Sequence, residues 1–110
     1  MTKVFCDREH FMISIQGHAG AGTVGTDIVC AAISALSFAF EASVTADEQM
    51  NASCSRDRPN AVFTAECYPT SLARERCAAM LTVLLSGLEL LEREYPEHIS
   101  IEHKDLRYFI

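Results

Sequence analysis

Two side chains in this 110-residue sequence have the types and spacing for nucleophilic chemistry, Cys30 and His18. Asp27 is a good N-cap, and an Ala-rich periodic stretch begins at Ile28, so a helix starts there. Cys30 is then the third helical residue, among the unsatisfied N–H groups of the first turn. At that position the positive end of the helix dipole lowers a cysteine pKa, and a nearby imidazolium lowers it further. His18 stands upstream, where a β-prone run meets a glycine-rich stretch, and a loop that folds back sets its ring beside Cys30. The chemistry implied is acyl transfer: attack of the thiolate on a carbonyl carbon, with the imidazole moving the proton.

The stretch between the two residues carries glycine at Gly17, Gly20, Gly22 and Gly25, a density that no regular element tolerates. It reads as a loop. Its N–H groups, at these glycines and at Ala19, are candidates for an oxyanion hole, and its flexibility suits a lid over a peptide. Asp27 has two possible roles, capping the helix or orienting His18, and a cap would occupy its carboxylate. Two other readings compete. A cysteine in an Ala-rich helix is also an ordinary small core residue. Gly20 to Gly25 formally matches G-x-G-x-x-G, but the segment about twenty positions on, Thr45 to Glu48, ends a helix instead of a second strand, which argues against a dinucleotide site.

The elements that must position these residues follow from periodicity. Lys3–Cys6 and Phe11–Gln16 are β-prone runs about a polar turn, and a long helix runs from Ile28 to about Asp47. A second hairpin joins Ala52–Arg56 to Ala61–Cys67 through Arg58-Pro59-Asn60. Thr70 or Ser71 is the expected cap of a second helix that reaches about Glu94, with Leu81, Leu84, Leu85, Leu88 and Leu91 on one stripe, and Gly87 implies close packing within it. Tyr95-Pro96 stops that helix, and Ile99–His103 alternates as a half-buried strand. The order ββαββαβ predicts an α+β fold, two helices packed on a mixed β-sheet, as a single domain over residues 1–110.

Composition narrows the function. Hydrophobic residues make up 49%, enough for one sizeable core, and fifteen acidic against nine basic residues give a net charge of -6, which disfavours direct nucleic acid binding. The N-terminus lacks the apolar core of a signal peptide, and the apolar run from Ile28 to Phe40 is shorter than a bilayer span, so a cytoplasmic protein with no membrane partner is expected. Five cysteines without a CxxC pair fit reduced thiols, and no metal set or cofactor motif emerges. Cys6, Cys54, Cys67 and Cys77 read as buried thiols without activation, and His98 and His103 suit no usual metal pair. Surplus apolar surface on the first helix suggests a homodimer.

Gly17-His18-Ala19, then Gly25 and Asp27-Ile28-Val29-Cys30-Ala31-Ala32-Ile33-Ser34-Ala35-Leu36, resembles the signature of the ribosomal-processing cysteine proteases, the Prp family. Gly87-Leu88, Tyr95-Pro96 and Ile99-Ser100-Ile101 resemble that family's last helix and strand. The resemblance implies a cysteine endopeptidase with Cys30 as nucleophile and His18 as general base, and Asp27 and Ser34 as supporting motif positions. It implies a peptide substrate, the short N-terminal extension of bacterial large-subunit ribosomal protein number twenty-seven, cleaved after a Phe-rich motif, and a homodimer without cofactor. A non-catalytic ribosome-assembly module and a small thioesterase are the rival classes.

Overall fold

Alternation of apolar and polar residues dictates the sheet. The computed structural model describes residues 1–22 and 27–104, and its strands are β1 (Thr2–Asp7), β2 (Met12–Gln16), β3 (Ser53–Asp57), β4 (Val62–Glu66) and β5 (Ile99–His103). They form one sheet in the order β3-β4-β2-β1-β5, antiparallel except for the parallel pair β1 and β5. Register turns the period-two pattern into rows: Val4 lies opposite Ile15, which lies opposite Phe63, and Cys6 opposite Ile13, which lies opposite Ala65. All six are buried. A one-residue slip would send each row to the other face.

The helices α1 (Ile28–Thr45) and α2 (Arg74–Glu94) close the core. Val29, Ile33, Phe40 and Val44 form the buried stripe of α1, and Cys77, Leu81, Leu84, Leu85 and Leu88 that of α2; all join one cluster with the strand residues. The predicted α+β order and mixed sheet are therefore what the chain adopts. α1, with mean hydropathy 1.8 over 18 residues, is long and apolar enough to cross a membrane by length and composition, yet here one of its faces is packed in this core.

Several boundaries differ from the sequence expectation. α1 ends at Thr45, because Asp47 caps a separate 3-10 turn (Glu48–Met50), accepting from the Gln49 N–H at 3.0 Å and from Arg76 Nε at 2.7 Å. Neither Thr70 nor Ser71 caps α2, which starts at Arg74 after Ala73 with no side-chain cap bond. Thr70 instead donates from Oγ1 to Gln49 Oε1, and its carbonyl closes a turn onto the Ala73 N–H. Phe11 and Ala61 lie just outside the strands at φ +50° and +51°. Each ends a turn of one design, in which the aspartate at the strand end, Asp7 or Asp57, accepts from the N–H three residues on. The two hairpins thus share local chemistry that their sequences only hint at.

Gly87 sits where the helices press together. A Cβ there would lie 2.9 Å from both terminal carbons of Leu36 on α1. Gly87→Ala should be close to neutral, since its gain in helix propensity offsets the shift of one flexible side-chain end. Gly87→Leu should cost about 1–3 kcal/mol of stability by overpacking, read by chemical denaturation; a Leu variant as stable as the unsubstituted chain would contradict this contact.

Candidate active site

The start of α1 is built by one carboxylate. Asp27 is buried and adopts an extended backbone as N-cap, with Oδ1 accepting from the Cys30 N–H at 2.9 Å. Its second oxygen, Oδ2, accepts from the Ala21 N–H at 2.9 Å. One side chain therefore caps the helix and ties the glycine loop back onto it. Both oxygens are engaged by backbone amides, which makes Asp27 a cap and a loop anchor. These two N–H groups hold its carboxyl below the ordinary range, the Cys30 amide most strongly and against the opposing effect of burial.

The loop returns to the nucleophile candidate at Ala19, whose N–H donates to Cys30 Sγ at 3.2 Å. The His18–Ala19 peptide is thus laid against the sulfur. His18 itself is exposed and lines the same cavity as Cys30, a cleft of about 460 Å³. Gly17, Gly20 and Gly22 line it as well, and Gly17 and Gly20 hold positive φ of 90° and 75°, which favours glycine at both. Ser34, one turn after Cys30, lines the cleft next to the sulfur's helical face. Of the loop candidates, Gly25 lies outside the described residues.

The electrostatics differ from the sequence expectation in sign. Burial pushes the Cys30 thiol up, the Ala19 N–H pulls it down, and the Asp27 carboxylate pushes it up again, both as a hydrogen-bond acceptor and as a charge; the N-terminal ammonium lowers it slightly. The net direction is upward, where the helix-end argument predicts a lowered value. The reason is first that the sulfur is partly buried, and second that the helix end chosen for its positive potential is capped by an anion that stands next to it. The remaining cysteines are raised too: burial takes Cys6 to about 11 and Cys67 to about 12, and it raises Cys54 and Cys77. All five are free thiols.

The far wall of the cleft was not foreseen from the sequence. Arg56 of β3 is sandwiched between Phe38 of α1, 3.9 Å from its guanidinium carbon to the ring centroid, and Phe63 of β4, at 4.4 Å. Its Nη2 pairs with Glu41 Oε1 at 3.1 Å, and with Ser37 Oγ at 3.4 Å. Ile15, Ala61 and Val62 add apolar lining between this stack and Cys30. A second missed residue is His98, whose Nδ1 lies 3.0 Å from the Ala19 carbonyl oxygen. Only the fold brings these pairs together, so no local sequence signal marks them.

Comparison with known proteins agrees with this layout. The crystal structure of an essential ribosomal processing protease Prp from S. aureus with a covalently linked product peptide superposes with TM-score 0.83 at 24% identity, covering 94% of this chain and 100% of that one. The same protease with a substrate peptide gives 0.75 at 23% identity, with the same two coverages. A protein from Streptococcus mutans gives 0.72 at 24% identity, covering 93% of this chain and 90% of its own. No curated protein matches the chain. The model of one family, described as cysteine protease Prp, matches residues 1–100, and the chain belongs to that family.

Proposed function

We propose that the chain is a single-domain cysteine endopeptidase over residues 1–110, with Cys30 as nucleophile and His18 as general base. The observation that carries this reading is the Ala19 N–H on Cys30 Sγ at the first turn of α1, beside His18 in one cleft. Because the thiol is raised at rest, the Cys30 proton must leave for His18 as the sulfur attacks the scissile carbonyl carbon. The C–S bond forms and the carbonyl becomes an oxyanion, for which Gly20 and Gly22 offer the loop N–H groups, because the Gly17 N–H donates to the Ala61 carbonyl at 2.8 Å and the Ala19 N–H is engaged by Cys30 Sγ. Collapse breaks the C–N bond while His18 returns the proton to the leaving amine. Water, deprotonated by His18, then hydrolyses the thioester and restores Cys30.

The substrate we infer is the N-terminal extension of bacterial large-subunit ribosomal protein number twenty-seven, cut after a Phe-rich motif. The apolar cleft walls at Ile15, Val62, Phe63 and Phe38 support an aromatic-rich peptide, and Ser34 supports a polar contact to its backbone. The enzyme works without metal or cofactor in the cytoplasm, as a homodimer. The exposed stripe of Ile28, Ala35, Ala39 and Ala42 on α1 supports a self-association surface.

Three outcomes test this. Cys30→Ala should abolish cleavage of a peptide carrying the extension sequence, and His18→Ala should lower kcat by about 100-fold or more; cleavage at the unsubstituted rate by either variant ends the proposal. Asp27→Asn keeps an acceptor for the Cys30 N–H and removes the charge beside the sulfur, while its NH2 replaces the oxygen that ties Ala21; because the charge acts on the sulfur directly, the pH midpoint of Cys30 alkylation should move down. An unchanged or higher midpoint would contradict the electrostatic account.

A further inference from the structure

His98 lies outside the cleft and yet is one bond from the residue that touches the nucleophile. A carbonyl oxygen only accepts, so in the contact with Ala19 at 3.0 Å the His98 Nδ1 carries the proton and donates. Ala19 is 1% exposed, and from its other side its N–H reaches Cys30 Sγ at 3.2 Å. His98 is itself fixed by its backbone: its N–H donates to the Tyr95 carbonyl, and its carbonyl accepts from the Thr2 N–H, both at 2.9 Å. Thr2 in turn donates from Oγ1 to the Gly17 carbonyl at 2.8 Å. The ring therefore projects from a rigid junction, where β1 meets β5, onto a segment flanked by glycines at positive φ. Those glycines give the segment several available paths, and a side-chain anchor selects one.

We propose that His98 is a positioning residue for the nucleophile: its Nδ1–H holds the Ala19 carbonyl so that the Ala19 N–H stays aimed at Cys30 Sγ. The inference rests on the reading of Cys30 as nucleophile. A hydrogen bond to the sulfur favours the thiolate over the thiol, so releasing the anchor makes the thiolate harder to form. The charged and titratable groups around Cys30 are the Asp27 carboxylate, the N-terminal ammonium and His18, with Arg56, Asp57 and Arg58 further along the cleft. None of these is altered by a change at His98.

The test is the rate of Cys30 alkylation by iodoacetamide across pH, with the adduct located by peptide mass mapping in the folded full chain. His98→Leu removes the donor at similar bulk and should slow alkylation at neutral pH roughly tenfold, with the midpoint moved to higher pH. His98→Asn places an amide N–H where Nδ1 stands and should remain within about twofold of the unsubstituted rate. Should His98→Leu fail to fold, His98→Gln, whose amide lies one methylene too far, takes its place with the same expected loss. Identical profiles for the donor-less and unsubstituted proteins overturn the inference, as does an Asn variant as slow as the Leu variant. A Cys30 that is inert in the unsubstituted protein sinks the protease reading itself, a different result from either.

Discussion

The carboxylate of Asp27 ends one segment and begins the next. With one oxygen on the Cys30 N–H and the other on the Ala21 N–H, it fixes where α1 starts and where the glycine loop comes back to it. The side of the cleft that carries Cys30 depends on that pair of hydrogen bonds to backbone. The Ala19 N–H meets Cys30 Sγ because the loop is held at Ala21 on one side and at Gly17 by Thr2 on the other. A buried acceptor with two amide donors is fully paired, which is the condition for keeping a charge away from water.

The same carboxylate sets the difficulty of the chemistry. A helix N-terminus favours a thiolate, and the anion that caps it opposes one. Burial and Asp27 together outweigh the Ala19 amide, so the sulfur is protonated at rest. A resting thiol is less nucleophilic and less readily oxidised than a thiolate, and in this reading His18 draws its proton away as the sulfur attacks. An exposed His18 fits that division of labour, since its ring can adopt its working position as substrate covers the loop. At the other end, the Arg56 stack gives the cleft a rigid wall between α1 and the β3-β4 hairpin.

Much of this is legible in the sequence alone. β-Prone runs about turn residues mark four strands to within a residue, period two marks the fifth, Ile99–His103, to its ends, and the leucine stripe marks the buried face of α2. Gly87 announced the helix crossing because a glycine in a helix needs a reason. What escaped was of two kinds. Contacts between distant segments leave no local pattern: His98 and Ala19 are 79 residues apart, and the Arg56 stack joins three elements. Local competition was the other: Thr70 is a fair cap by type, yet Gln49 claims its hydroxyl and a turn intervenes before α2. The upward shift of Cys30 has no mark in the local sequence, because its largest cause is burial made by the whole fold, and the cap that marks the helix start also carries a charge.

The central claim is that one thiol out of five does the chemistry, and that the cleft selects it. A peptide chloromethyl ketone ending in Phe-Phe, which alkylates a cysteine only after docking at an active site, tests this directly by intact mass and peptide mapping. The account predicts a single adduct, on Cys30, that free extension peptide suppresses. An adduct on Cys54 or another thiol, or labelling of Cys30 that excess peptide leaves unchanged, would contradict it.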